Sequence, residues 1–429
     1  VTAVITNATK DLTGTALDSD VTVLDISTNQ VQGAIFDIAD IDGGVTILNT
    51  GNAGTFTVKD SATTLAANTS LINGKAVVID DTNNTAATVE ELNAIQAVAS
   101  SVTYTKLRDT SQAIRENVDN NNAITDIDGI AVTITDSSNV SQYTSILTAA
   151  GNGSVSGAVA DTAAALATTQ NVTLTGATSV TAVISSANDL VSVQLDTEVT
   201  AIDIGTNSVT NVLLDIEDLN NGNNANRTIS NTGGGGSYKI KDTATILAAN
   251  DSFLEGQTVI INDSSTAATT SELNTIQAGI AANNAQGGGV TYTKLTGTAT
   301  SLAANTADII AGVAVTIDES GNNTPADTAE INSLQTAVGN AAGASLTYTK
   351  VSDTSENLRA NTGDLEGKTV TVSDASSASQ YATLISAVTA NAANGTVAGA
   401  VSDTPAALAT TENVTLTGAT SVTAVISSA

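Results

Sequence analysis

The sequence predicts an α/β fold, a right-handed parallel solenoid of βα coils of about 25 residues each, paired into units of about 50. Three observations predict it. First, "YTKLRDTSQAIREN" (104–117), "YTKLTGTATSLAAN" (292–305) and "YTKVSDTSENLRAN" (348–361) repeat one pattern. Second, short β-branched runs alternate with short helical patterns along most of the chain. Third, large core-forming side chains are scarce: aromatics are 2% of residues against 41% hydrophobic, and Trp, Met, His and Cys are absent. Small aliphatics suit a narrow, repetitive cross-section, in which each coil needs a neighbour to bury its face. A β-helix or β-rich rod with short inserted helices is the alternative architecture.

Each element of the repeat has a physical reading. Asp-Thr or Asp-Ser pairs recur at Asp60, Asp109, Asp161, Asp242, Asp353 and Asp403, with Gly297-Thr298 in the same role. Five residues later stand Leu65, Ile114, Leu166, Leu247, Leu302, Leu358 and Leu408. Eight residues later come Asn68, Asn117, Asn250, Asn305 and Asn361, or else Thr169 and Thr411. The Asp is expected to cap a two-turn helix and the Asn to end it in the left-handed conformation. A helix this short needs packing to survive in water.

Short buried strands follow in "GKAVVID" (74–80), "GQTVIIN" (256–262) and "GKTVTVS" (367–373). A second helix is expected over "TVEELNAIQAVA" (88–99), "TSELNTIQAGI" (270–280) and "TAEINSLQTAV" (328–338), with Leu92/Ile95, Leu273/Ile276 and Ile331/Leu334 on its buried face. The chain then returns to "VTYTK" or "LTYTK", a further strand.

A longer period lies above this one. "GATSVTAVISSA" occurs at 176–187 and at 418–429, and "VTAVI" opens the chain. The reading is a first long repeat unit over 1–179, a second over 180–421 with one extra YTK repeat, and the start of a third over 422–429. Ends that fall at one phase of the repeat are expected of a piece of a giant chain or of subunits stacked head to tail. The segments 17–31 and 195–209 also match each other. In them Val21, Leu24, Ile26, Asn29 and Val31, and Val199, Ile202, Ile204, Asn207 and Val209, fit L-x-x-L-x-L-x-x-N-x-L. That pattern resembles the strand of leucine-rich repeats, which implies an Asn bonding backbone groups between coils.

Composition also bounds function. The net charge is −30, from 13 Lys+Arg against 43 Asp+Glu, which disfavours nucleic acid as a partner. No run of apolar residues is long enough to span a membrane. Without His or Cys, and with carboxylates that recur with the repeat, no enzyme activity is expected. The glycine runs at 231–237 and 286–290 lack the Lys-Ser/Thr of a phosphate loop and read as turns. No cofactor is required, and calcium is the ion that two acidic clusters would suit. These are Asp18, Asp20, Asp25, Asp37 and Asp40, and their counterparts Asp196, Glu198, Asp203, Asp215 and Asp218. The competing reading makes these residues turn and helix caps. Lys106, Lys294 and Lys350 of the YTK motif read as exposed strand lysines that guard against stray edge pairing.

The "DTAxxLAAN"-like units, the Asp/Thr/Ala/Asn bias and the missing Cys resemble giant repeat-rich secreted or cell-surface proteins of Gram-negative bacteria, surface-layer-like or adhesin-like, including marine cyanobacterial ones. The resemblance implies an extracellular or cell-surface location and a structural segment of a filament, rod or coat whose partner is itself. The alternative it implies is an adhesin stalk that binds carbohydrate, ice or divalent cations.

Overall fold

Where the Asp-Thr and Asp-Ser pairs recur, the short helices open on the hydroxyl residue and not on the carboxylate. The computed structural model describes residues 1–6, 12, 17–82, 86–119, 127–220, 226–231, 233–282, 288–321, 323–409 and 416–426. In it Ser61, Thr243, Thr298 and Thr354 cap the helices Ala62–Ala67, Ala244–Ala249, Ala299–Ala304 and Ser355–Ala360. Each hydroxyl accepts an N–H of the first turn, at 3.2 Å for Ser61 and Thr298. The preceding Asp is thereby free for another contact, described below.

The closing Asn also departs from expectation. Asn68 stands at φ −121°, ψ 40°, and Asn250, Asn305 and Asn361 adopt closely similar angles, none of them left-handed. Its side-chain amide donates instead to the carbonyl four residues back: Asn68 to Thr64 at 2.9 Å, and Asn305 to Ser301 and Asn361 to Asn357 at 2.7 Å. That bond satisfies an orphan carbonyl of the last turn without reversing the backbone. The copy ending in Thr169 forms no α-helix: the chain turns over 163–166, with Leu166 N–H on Thr162 O at 3.2 Å, and Thr169 lies in the 3-10 helix Thr168–Gln170. Around Leu408 the chain likewise only turns. Thr411 lies outside the described residues, as do residue 232 of the first glycine run, residues 286 and 287 of the second, and the last three residues of 422–429.

The expected strands form over Ala76–Ile79, Thr258–Ile261 and Thr369–Ser376. The glycine before each has φ near +70°, a conformation open to Gly and costly for a side chain: Gly74 +69°, Gly256 +67°, Gly367 +70°. The second helices are Val89–Gln96, Thr270–Ile280 and Thr328–Asn340, and each opens with a reciprocal capping box, Thr88 with Glu91, Thr269 with Glu272 and Asp327 with Glu330. All six residues expected on the inner face of these helices are buried.

The YTK motif is a break between two strands, not one strand. Ser101–Thr103 is the last strand of one sheet and Lys106–Asp109 the first of the next. The same step separates Ser345–Thr347 from Lys350–Asp353; Gly289–Thr291 likewise ends its sheet, and Lys294–Gly297 lies in the next, between Ala268–Thr269 and Ala314–Ile317.

The described chain divides into two compact units, Val1–Val212 with Glu217–Ser237, and Leu213–Ile216 with Tyr238–Ala429. In the first unit one sheet joins Thr2–Val4, Val23–Asp25 and Thr46–Leu48, and another joins Ala34–Phe36, Phe56–Asp60, Ala76–Ile79 and Ser101–Thr103. Its six-stranded sheet runs from Lys106–Asp109 through Ala131–Ser138, Ser154–Thr162, Ala177–Val183 and Ala201–Asp203 to Thr228–Ser230. The second unit holds four-stranded sheets over Ala268–Thr269, Lys294–Gly297, Ala314–Ile317 and Ser345–Thr347, and over Lys350–Asp353, Thr369–Ser376, Thr396–Asp403 and Ala419–Ala424. The strand ladders are parallel, and neighbouring strands are successive in sequence order apart from skipped short ones. With thirteen α-helices among the described residues, the fold is α/β with parallel sheets.

The core is thin, but its few aromatics are placed at set points. Tyr143 and Tyr381 are fully buried, in the matching segments "SQYTSIL" and "SQYATLI". Tyr143 Oη donates to Val155 O and Thr175 O at 3.1 Å, and Tyr381 Oη to Val397 O at 2.9 Å. Tyr348 Oη donates to Asp364 O at 3.0 Å, and Tyr292 to Asp308 O. Burial, with Glu198, Asp308 and Asp364 nearby, pushes the phenols of Tyr143, Tyr292 and Tyr348 from 10.0 up to about 12. A raised folded value favours the protonated native state, so this stability is full below pH 10 and is lost as pH rises toward 12. The melting temperature, followed by circular dichroism, should therefore fall steeply between these values. Tyr143→Phe should flatten the fall, and an unchanged melting temperature at pH 12 would overturn this account.

Candidate functional site

The ten acidic residues singled out above lie mostly at turns and helix starts. Asp18 accepts the N–H of Asp20 at 2.9 Å, while the carbonyl of Asp20 accepts the amino group of Val1 at 2.8 Å. Asp25 closes a tight turn: it accepts the Ser27 N–H and Oγ at 2.8 Å, the Thr28 N–H at 3.1 Å, and the Thr28 hydroxyl. Asp203 repeats this with Gly205, at 2.8 Å, and Thr206. Asp37 and Asp40 form the capping box of the helix Ile38–Ile41. Asp196 accepts the Glu198 N–H at 3.0 Å, and Glu198 accepts the Leu174 N–H at 3.0 Å. Asp215 lies near Asp242, whose carboxyl is raised by burial first and by the Asp215 charge last. Asp218 is buried, and its carbonyl accepts from Arg227. Among the described residues no group of three or more acidic side chains comes together in a metal-ligating arrangement.

The hydroxyls of Thr28 and then Ser27 hold the Asp25 carboxyl down at about 2. For Asp203, burial acts in the raising direction, but bonds from Thr206 and Gly205 outweigh it and the carboxyl is lowered. The turns closed by Asp25 and Asp203 also carry the asparagines of the leucine-rich-repeat-like pattern. Asn29 Nδ2 donates to Ile5 O at 2.9 Å, 24 residues back, and Asn207 to Ile184 O at 2.8 Å, 23 residues back.

The recurrent Asp of the Asp-Thr and Asp-Ser pairs has a role that its local sequence does not reveal. One oxygen accepts the N–H of the next residue; the other accepts the first helical N–H of the preceding repeat. Asp60 bonds Ser61 at 2.7 Å and Ile38 at 3.1 Å. Asp109 bonds Thr110 at 2.8 Å and Val89 at 2.9 Å. Asp161 bonds Thr162 at 2.7 Å and Val140 at 3.0 Å. Asp242 reaches Ile216, Asp353 reaches Thr328 and Asp403 reaches Ala378, at 3.1–3.3 Å. A carboxylate at a helix start also meets the positive end of the helix dipole. Asp136 and Asp374 make the same contact to the N–H of Ser111 and Ser355, at 2.6 and 2.7 Å.

A second carboxylate set holds the YTK break. Asp81 Oδ2 accepts the Thr105 N–H and hydroxyl at 2.8 Å and the Lys106 N–H at 2.9 Å. Asp263 does the same for Thr293 and Lys294, and Glu319 for Thr349 and Lys350. The lysine completes the clamp: Nζ of Lys106 donates to Asp81 O at 2.9 Å, Lys294 to Ser264 O at 3.1 Å, and Lys350 to Glu319 O at 3.0 Å. Lys106 and Lys294 are half-buried, which departs from the expectation of exposed strand lysines, while Lys350 is exposed as expected; all three ammonium groups brace the break. They stand 25, 31 and 31 residues after their acidic partners, a recurrence that aligning acidic positions to YTK could have brought out.

Sequence reasoning also missed Arg227. It is 6% exposed, and its guanidinium donates to the carbonyls of Val199, Glu217, Asp218, Asn220, Leu195 and Asp196. No protein-family model matches this chain, and no curated protein or solved structure proves similar to it.

Two outcomes follow for the carboxylates. Asp353→Ala removes an acceptor shared by Thr354 and Thr328 and should cost about 1–3 kcal/mol in denaturant unfolding, with faster amide exchange at Thr328. Unchanged exchange at Thr328 would show the contact to be idle. On the acid side, the Asp25 contribution is full above its ordinary 3.8 and is lost as pH falls toward about 2. Asp25→Asn should therefore weaken the pH dependence of stability within that window, and an identical acid titration in the variant would contradict the assignment.

Proposed function

We propose that this chain is a structural segment of an extracellular or cell-surface filament, rod or coat, in which βα repeats stack as a right-handed solenoid and no catalysis takes place. The observation that carries this reading is the Asp pin, made at six positions with one oxygen on each of two successive repeats. Side chains that could do chemistry elsewhere act here as acceptors for main-chain N–H groups, and nothing in this reading needs a cofactor. The resemblance to repeat-rich bacterial surface proteins supports the location.

A second reading, an adhesin stalk with a ligand-binding flank, draws on one feature. Register places Thr316 beside Thr347, and Thr369 beside Thr396, on exposed strand faces. A glycan array and an ice-recrystallisation assay test that reading; no activity in either leaves the structural role alone.

The structural reading is tested through Leu358, which is fully buried in its short helix. In a stack, stability is a sum over neighbours. Leu358→Asp should therefore abolish amide protection in its own and adjoining repeats, within residues 328–376, while repeats before residue 110 keep theirs. Loss of protection everywhere at once would contradict the stacked assignment. Cell fractionation of the source organism tests the location, and recovery in the cytosol alone would overturn it.

A further inference from the structure

Asn-Gly occurs four times in the chain, at 73–74, 152–153, 221–222 and 394–395, and the third pair lies outside the described residues. In this dipeptide the glycine nitrogen can attack the asparagine side chain, because no Cβ shields it and the glycine backbone bends readily. What restrains the attack in a folded chain is the glycine N–H. Once it is donated to a carbonyl, its proton is held and the peptide plane is fixed. Asn73, Asn152 and Asn394 are all exposed, so water reaches each of them. Gly74 N–H donates to Val98 O at 2.8 Å, and Gly153 N–H to Ala150 O at 2.7 Å. Among the described residues, Gly395 N–H has no acceptor.

Positions 152 and 394 occupy one place in two duplicated segments. The helix Val140–Ala150 leads to the strand Ser154–Thr162, and its counterpart Ala378–Val388 leads to Thr396–Asp403. Ala150 and Val388 match each other: their carbonyls accept Gly129 N–H at 3.0 Å and Gly367 N–H at 2.9 Å. The first connection has three residues, 151–153, and the second has seven, 389–395. In the short one Gly153 folds back onto the Ala150 carbonyl. In the long one the 3-10 helix Ala390–Ala392 comes between Val388 and Gly395, and that bond is lost. Glycine is nevertheless required at both places, since a Cβ would stand 2.1 Å from Ile130 O at 153 and 2.4 Å from Val388 O at 395.

We infer that Asn394 is a site of spontaneous modification, converted by water to aspartate and isoaspartate while Asn73 and Asn152 stay intact. The Gly395 nitrogen, its proton given up to hydroxide, bonds to Cγ of Asn394. The side-chain amide nitrogen takes up a proton and leaves as ammonia, and a five-membered succinimide closes between the two residues. Water then adds to one of the two ring carbonyls. Opening on one side restores the main chain with an aspartate; opening on the other routes the main chain through the side-chain carbonyl and leaves isoaspartate. No oxidant or reductant takes part, and the net change is one water consumed and one ammonia released. The product carries a new negative charge and, in its iso form, an extra methylene in the main chain just before Thr396. There the strand begins: Thr396 faces Thr369, and its N–H donates to Lys368 O at 3.0 Å. The modification thus records the age of each copy at a strand entrance.

The test uses the folded 429-residue chain, incubated at mildly alkaline pH, sampled over time, digested and mapped by mass spectrometry. Enzymatic methylation of isoaspartate gives a second readout. Asn394 should gain the mass of the acid first, and Asn152 should lag by roughly five- to tenfold, the factor that one main-chain hydrogen bond supplies. In urea that unfolds the chain, Asn73, Asn152 and Asn394 should convert at like rates, which assigns the difference to the fold and not to neighbouring residues. Asn394→Gln should remove the early isoaspartate and leave the slow conversion at Asn152 as it was. Conversion of Asn394 no faster than Asn152 in the folded chain, or the same order of rates surviving in urea, would overturn the inference. Both results are independent of the stacked reading, which rests on other contacts.

Discussion

Each recurrent aspartate divides its two oxygens between repeats, one on the residue that follows it and one on the first turn of a helix about a repeat earlier. The first N–H groups of any helix have no partner within it, and a helix of two turns has little else to lose. A strand-end carboxylate answers that need from the neighbouring repeat and in doing so fixes which strand lies beside which. A slip of one residue would leave both the Asp and the helix start without partners. The parallel register of Lys106–Asp109 on Ala131–Ser138, or of Lys350–Asp353 on Thr369–Ser376, is therefore specified by polar contacts at its end as well as by Leu107 and Val351 in the core.

This division of labour accounts for the acidity. A carboxylate accepts two or more main-chain N–H groups where an amide offers a single acceptor oxygen, and charge-assisted bonds are the stronger kind. The clamps of Asp81, Asp263 and Glu319 on the YTK break use the same chemistry, and so do the turns closed by Asp25 and Asp203. The negative charge is thus distributed at the places where the backbone would otherwise be short of acceptors. Arg227 is the counterpart of opposite sign: one buried guanidinium serves six carbonyls.

Much of the fold was legible because its signals are local or periodic. The strands after Gly74, Gly256 and Gly367, the helices over 89–96, 270–280 and 328–340, and their buried leucines and isoleucines all follow from pattern. So does the bonding of Asn29 and Asn207 across repeats, which the leucine-rich-repeat likeness implied. What escaped depends on contacts between distant residues. The Asp before Ser61 or Thr354 looks like a cap because hydroxyl and carboxylate both cap helices, and only the neighbouring repeat decides which one is used. The YTK segment looks like one strand because nothing in its five residues shows that a carboxylate 24 to 30 positions earlier bends it at Thr105, Thr293 or Thr349. Arg227 carried no signal at all, since its partners are backbone carbonyls, which any sequence supplies.

The break at YTK has a consequence for how such a gene can change. At each break the chain passes from one sheet to the next, and the clamp there is made by an acidic residue, a threonine and a lysine from adjacent repeats, so the breaks are seams of one recurring design. A block of sequence running from one seam to the next can be duplicated or deleted in frame, and the clamps on either side re-form from residues already present. Length is then a quantity that unequal crossing-over can tune without redesigning any contact.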